Sequence, residues 1–137
     1  MAEATVNRGL SVKPYGCGMR AASRKTQWLV SSDAPKNFDE LTFTSRDNSG
    51  RICWWNVTPP KTEQWHVHEM LGRAYAFELL DLLNNPEAEG ENEQVFAAVS
   101  MAIAQWLPSV SYSAASGMAD GFFRVMSEFM ATGQVVR

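Results

Sequence analysis

His66-Val67-His68-Glu69 is the densest cluster of metal-binding and acid-base side chains in the chain. Two imidazoles and a carboxylate are good ligands for zinc or a related transition ion. The spacing works against a shared site. On a helix, residues i and i+2 diverge by about 200°, so both rings reach one ion only if this stretch is extended, with Cys53 joining across a sheet. The simpler reading puts His66 on a wet stripe and leaves His68 partly buried and hydrogen-bonded. No metal site is assigned, and no cofactor is expected.

Cys17, in Pro14-Tyr15-Gly16-Cys17-Gly18 with Lys13 and Arg20 nearby, has the cationic surroundings that favour a thiolate nucleophile. A small Cys/His hydrolase would need His66 or His68 brought alongside as the base. A turn with a small buried side chain is favoured, and no catalytic residue is assigned. Glu78 and Asp81 project at helical angles among Val67, Leu71, Ala74 and Leu82, away from the polar stripe. A carboxylate in such a place requires a partner. An Arg or Lys from the first half of the chain is favoured over a catalytic acid pair.

Gly16-Cys17-Gly18 lacks the further glycine, the preceding strand and the helix of a phosphate-cradling loop, so nucleotide cofactors have no support. Arg8, Lys13, Arg20, Arg24 and Lys25, interleaved with Tyr15 and Trp28, could follow a nucleic-acid backbone. An isoelectric point near 5.3 is not the electrostatic footprint of such a protein, and nucleic acid is not the favoured partner. Aromatic content is the stronger signal, with five tryptophans in 137 residues. Trp54 and Trp55 direct adjacent indoles to opposite faces of a strand, one to the core and one outward as an anchor of the kind enriched at interfaces. Trp54, Trp55, Trp65 and Arg51 are the expected partner-binding residues, and Met101 and Met130 extend such a patch.

The elements that position these residues divide near Pro59-Pro60. Before it, residues 26–31, 41–45 and 51–57 are short runs rich in β-branched and aromatic side chains, and three strands are expected. Arg46-Asp47-Asn48-Ser49-Gly50 has the turn chemistry to join the last two as a hairpin. After Pro60 the period is helical. The first helix is expected over 62–84, from Thr62 as N-cap to the stop at Asn84-Asn85-Pro86, with a polar stripe of His66, Glu69 and Arg73. The second covers about 91–107, opening in a glutamate-rich stretch and burying Val95, Phe96, Val99, Ile103 and Trp106. The third covers about 117–132 and buries Met118, Phe122, Val125, Met126 and Phe129, with Gly133 as its stop. Residues 1–25 read only as irregular or extended. The fold class is α+β: a small three-stranded antiparallel sheet from the first half packed with three helices from the second.

A chain of 137 residues with 45% hydrophobic and 20% charged residues is expected to form a single domain able to build a core without disulfide or metal staples. Residues 1–60 carry a charge of +3 and the rest −6, which reads as attraction between the halves or as two lobes for different partners. Met1 to Lys25 has no apolar segment behind a basic start, so neither a secretory leader nor a membrane anchor is expected. Two cysteines do not make a disulfide framework, and the expected setting is the cytoplasm with no membrane partner. Surplus aromatics, split charge and the absence of an assembled catalytic motif point to a non-enzymatic module that binds a protein partner or its own copy. Accessory proteins of phages and plasmids, including inhibitors of host defence complexes, have this character.

Overall fold

A computed structural model describes residues 30–90 and 92–133. The chain divides into two compact units, one of which runs over Val30–Ser127. The other adds to the described residues only Glu128 to Gly133, the end of the last helix and its stop, where Gly133 at φ +77° donates its N–H to the Phe129 carbonyl at 2.7 Å.

Within Val30–Ser127 the expected hairpin is present. Strand β1 (Ser45–Arg46) pairs antiparallel with β2 (Ile52–Cys53), in register Ser45 to Cys53 and Arg46 to Ile52. Gly50 turns the chain at φ +87°, a conformation that a side chain disfavours. The Asp47 carboxylate accepts the N–H groups of Ser49 and Arg51 at 2.9 Å each and the Ser49 hydroxyl at 2.7 Å. These bonds stabilise the charged carboxylate and hold its pKa below the ordinary value of 3.8, the Ser49 hydroxyl contributing most.

Among the described residues the sheet has two strands, and the first expected strand, over 26–31, lies almost entirely outside them. Leu41 to Thr44 turns instead of extending: the Thr44 N–H donates to the Leu41 carbonyl, and its hydroxyl reaches the carbonyls of Phe38 and Leu41 at 2.9 and 3.0 Å. Local hydroxyl-to-backbone bonding of this kind competes with a ladder. A one-turn helix, Phe38–Glu40, precedes it, capped by the Asn37 side chain accepting from the Asp39 N–H.

The three helices are α1 (Trp65–Leu83), α2 (Val95–Trp106) and α3 (Tyr112–Thr132). Helix α1 starts three residues later than expected, because the Thr62 hydroxyl accepts the Gln64 N–H in a turn that precedes the helix. At its other end the Asn84 side chain donates to the Leu80 carbonyl at 2.8 Å. Helix α3 starts five residues earlier than expected. The Ser111 hydroxyl accepts the Ala114 N–H at 3.2 Å, which makes Ser111 an N-cap and draws Tyr112 to Ser116 into the helix.

Glycines set how closely α1 and α3 cross. A Cβ on Gly117 of α3 would lie 2.6 Å from the Trp65 carbonyl oxygen and 2.9 Å from the His68 Cβ; one on Gly121 would strike the Glu69 carbonyl, and one on Gly72 of α1 the Met118 carbonyl. The two backbones touch where side chains would otherwise hold them apart. The core formed around this crossing combines Leu41, Phe43, Trp55 and Val57 with Ala76, Leu79, Leu80 and Leu82 of α1, Val95, Val99 and Ile103 of α2, and Met118, Phe122 and Val125 of α3. Among the described residues, no helix is long and apolar enough to cross a membrane.

Candidate functional site: an aromatic cleft between the hairpin and α2

Trp55 is 4% exposed and forms the hub of the aromatic core. Its ring lies 5.1 Å from Phe43, 5.4 Å from Tyr75, 5.5 Å from Phe122 and 5.9 Å from Trp106, centre to centre, mostly edge to face. This geometry suits the ring quadrupoles. Trp54 points to the other side of the strand. It is half-buried and rests on Phe38 at 5.1 Å, and Phe38 is covered in turn by the Arg46 guanidinium at 5.6 Å. Arg46 is held there by two bonds to Asp39, 2.8 and 3.1 Å, which raise its pKa above the ordinary arginine value. The outward indole therefore stands on a braced platform.

Trp54 opens into a cleft of about 470 Å³ lined by Asp47, by every residue from Arg51 to Trp55, and by Ala102, Gln105 and Trp106 of α2. Three of the four expected partner-binding residues, Arg51, Trp54 and Trp55, thus line one cleft. Of the two adjacent indoles, Trp55 is the one turned to the core, and Trp54 is the outward one. The α2 wall was not foreseen as part of a site. Trp106 reads in the sequence as the end of a core stripe, and its indole N–H donates to the Val57 carbonyl at 2.9 Å, which fixes α2 against the strand segment. Arg51 stands at the mouth, its side chain 83% exposed and 3.8 Å from the Asp47 carboxylate. Cys53 is a free, exposed thiol on the same rim.

Trp65 lies apart from these residues. It is 41% exposed and donates its indole N–H to the Ser116 hydroxyl at 3.1 Å, beside Tyr112, which is 84% exposed one turn earlier on α3. Met101 and Met130 are both exposed.

The chemistry-bearing clusters are dispersed. His66 is exposed and faces Glu69 at 3.7 Å, and Glu69 also faces Arg73 at 3.9 Å. His68 is fully buried, its Nε2 bonded to the Thr62 carbonyl at 2.8 Å and its Nδ1 without a partner. Since a carbonyl only accepts, Nε2 carries the proton. Among the described residues, no three His, Cys, Asp or Glu side chains group as metal ligands. Cys17 lies outside the described residues. Glu78 finds its partner in Thr42, which donates both its N–H and, at 2.7 Å, its hydroxyl. Glu78 also lines a cleft shared with Asp33, Glu40 and Asp81, and most of the cations expected as partners of Glu78 and Asp81 lie outside the described residues. No protein-family model, curated protein or solved structure matches the chain.

Proposed function

We propose that this chain is a non-enzymatic protein-interaction module whose partner sits in the cleft between the hairpin and α2. The observation that carries this reading is the convergence of Arg51, Trp54 and Trp106 on one open cleft. An aromatic anchor with a neighbouring arginine, on a rigid floor, is the composition of interface hot spots. Trp54 is preorganised by Phe38 and Arg46, so little side-chain entropy is lost when a partner covers it. A cytoplasmic setting belongs to the same proposal, since an exposed unpaired thiol at Cys53 suits a reducing compartment. An inhibitor acting on a host complex is the role in which this reading places the protein.

The test is capture of partners from a lysate of the source cells on the full-length chain, alongside Trp54→Ala and Trp65→Ala. We expect Trp54→Ala to weaken the recovered complex by about 30-fold, the effect of losing a hot spot worth about 2 kcal/mol, while Trp65→Ala retains it. Retention by Trp54→Ala with loss by Trp65→Ala would move the interface to the Trp65 and Tyr112 patch and overturn the proposal.

A further inference from the structure

Arg46 donates from all three of its guanidinium nitrogens. Nε and Nη2 form a fork on the Asp39 carboxylate at 2.8 and 3.1 Å, and Nη1 reaches the Gly50 carbonyl at 2.6 Å. Its Cζ lies 5.6 Å from the centre of the Phe38 ring. One side chain thereby joins the one-turn helix Phe38–Glu40 to the tip of the hairpin. A planar fork fits a carboxylate in few orientations, so the contact fixes direction as well as distance. Arg46 and Asp39 are both half-exposed, and a pair in such a place adds little to stability in water. What it does remove is freedom from the groups it touches.

Two residues of the cleft stand one step from this guanidinium, although Arg46 itself does not line the cleft. Trp54 meets Phe38 ring to ring at 5.1 Å, tilted by 54°, and Phe38 is the ring that Arg46 covers. On the other side, the peptide unit between Gly50 and Arg51 is held at both of its polar groups. Its carbonyl accepts from Arg46 Nη1, and its N–H donates to the Asp47 carboxylate at 2.9 Å. A peptide unit fixed at both ends sets the direction in which the next Cα carries its side chain. That matters for Arg51, whose side chain is 83% exposed and whose one ion pair is 3.8 Å long.

We propose that Arg46 is a positioning residue of the cleft: through Phe38 it holds the Trp54 indole, and through the Gly50 carbonyl it holds the backbone from which Arg51 projects. The aromatic anchor and the charge then meet a partner in one fixed arrangement. This rests on the reading of the cleft as a protein-binding site and adds the residue that organises it. Freedom removed before binding is not lost in the complex, which is how a residue outside the contact raises affinity.

The test is nitrogen-15 relaxation on the full-length chain, reading the Trp54 indole N–H and the Arg51 amide. Arg46→Lys keeps the charge and loses the fork. Phe38→Leu removes the ring and leaves the hairpin bonds in place. In the parent, both groups should have order parameters near about 0.85, the rigid range. Arg46→Lys should lower both toward about 0.6, whereas Phe38→Leu should lower Trp54 alone. The Trp55 and Trp106 indoles should stay rigid in both variants, which also reports that each is folded. If Arg46→Lys melts early, Asp39→Asn removes the charge of the acceptor at nearly constant shape and should lower the same two values.

The binding arm uses the protein recovered on the parent chain from the source-cell lysate. Arg46→Lys should weaken that complex about tenfold, the scale of one side chain's ordering cost. Phe38→Leu should add less than about twofold to the loss caused by Trp54→Ala, because it acts through that indole. Unchanged order parameters in Arg46→Lys, or a complex that it retains while Trp54→Ala loses it, would overturn the positioning role and leave the interaction reading standing. A complex that Trp54→Ala retains would overturn the interaction reading itself and, with it, any role of Arg46 in binding, even where the order parameters fall as expected.

Discussion

Adjacent indoles at 54 and 55 do opposite work. Trp55 touches four aromatic rings in the core, whereas Trp54 meets Phe38 at a tilt and lines the cleft. Trp55→Ala should lower unfolding free energy by about 3–5 kcal/mol, the usual loss on emptying a large aromatic site, and Trp54→Ala by less than half as much. Urea denaturation of the two variants checks this. At the turn, Asp47 gives a pH signature. Its folded pKa lies below the ordinary 3.8, so its contribution is complete at neutral pH and disappears as pH falls below 3.8 through the lower folded value. Asp47→Asn keeps an acceptor but cannot titrate. Its stability should therefore be near normal at pH 7 and fall less steeply than the parent's in that acid range, as read from thermal melts across pH.

Among the elements, the α1–α3 crossing offers a test in which the sign of the effect is informative. In an exposed helix interior, Gly→Ala stabilises by up to about 1 kcal/mol. At Gly72, Gly117 and Gly121 the added methyl meets the backbone of the facing helix, which has no rotamer by which to move aside. Each substitution should instead destabilise by about 1–3 kcal/mol or more, the range for overpacking a close contact. A stabilised Gly117→Ala variant would mean that the helices cross farther apart. The same crossing buries His68, whose first-turn bond to the Thr62 carbonyl ties the preceding segment to α1.

For the molecule as a whole, ion pairs contribute little to holding the described part of the chain together. Among the described residues, Lys36 and Glu87, 3.6 Å apart and both exposed, are the one pair that joins the basic first half to the acidic second half. Lys36→Met should shift stability by less than about 1 kcal/mol, the range of exposed pairs, and the difference should vanish in high salt. Apolar and aromatic burial carries this part of the fold.

Local chemistry made much of this legible in the sequence. The hairpin turn was readable because Asp47, Ser49 and Gly50 bond and bend within four residues of one another, and the helices because a 3.6-residue period repeats along each. Boundaries slipped where a hydroxyl chose its partner: Thr62 turned the chain before α1, Thr44 bent an expected strand, and Ser111 began α3 early. A single hydroxyl can cap, turn or face water with nearly equal ease, and its neighbours in sequence do not decide which. The site divides in the same way. That one of Trp54 and Trp55 faces inward follows from strand alternation alone, but which one does depends on Phe43, Tyr75, Trp106 and Phe122 meeting at one point. Thr42 reaching Glu78 and Gly117 meeting Trp65 join residues 36 and about 50 positions apart. Composition and period are properties of neighbours along the chain and set the elements. Contacts over such separations exist only once the helices have crossed, so the cleft and the glycine crossing belong to the tertiary structure.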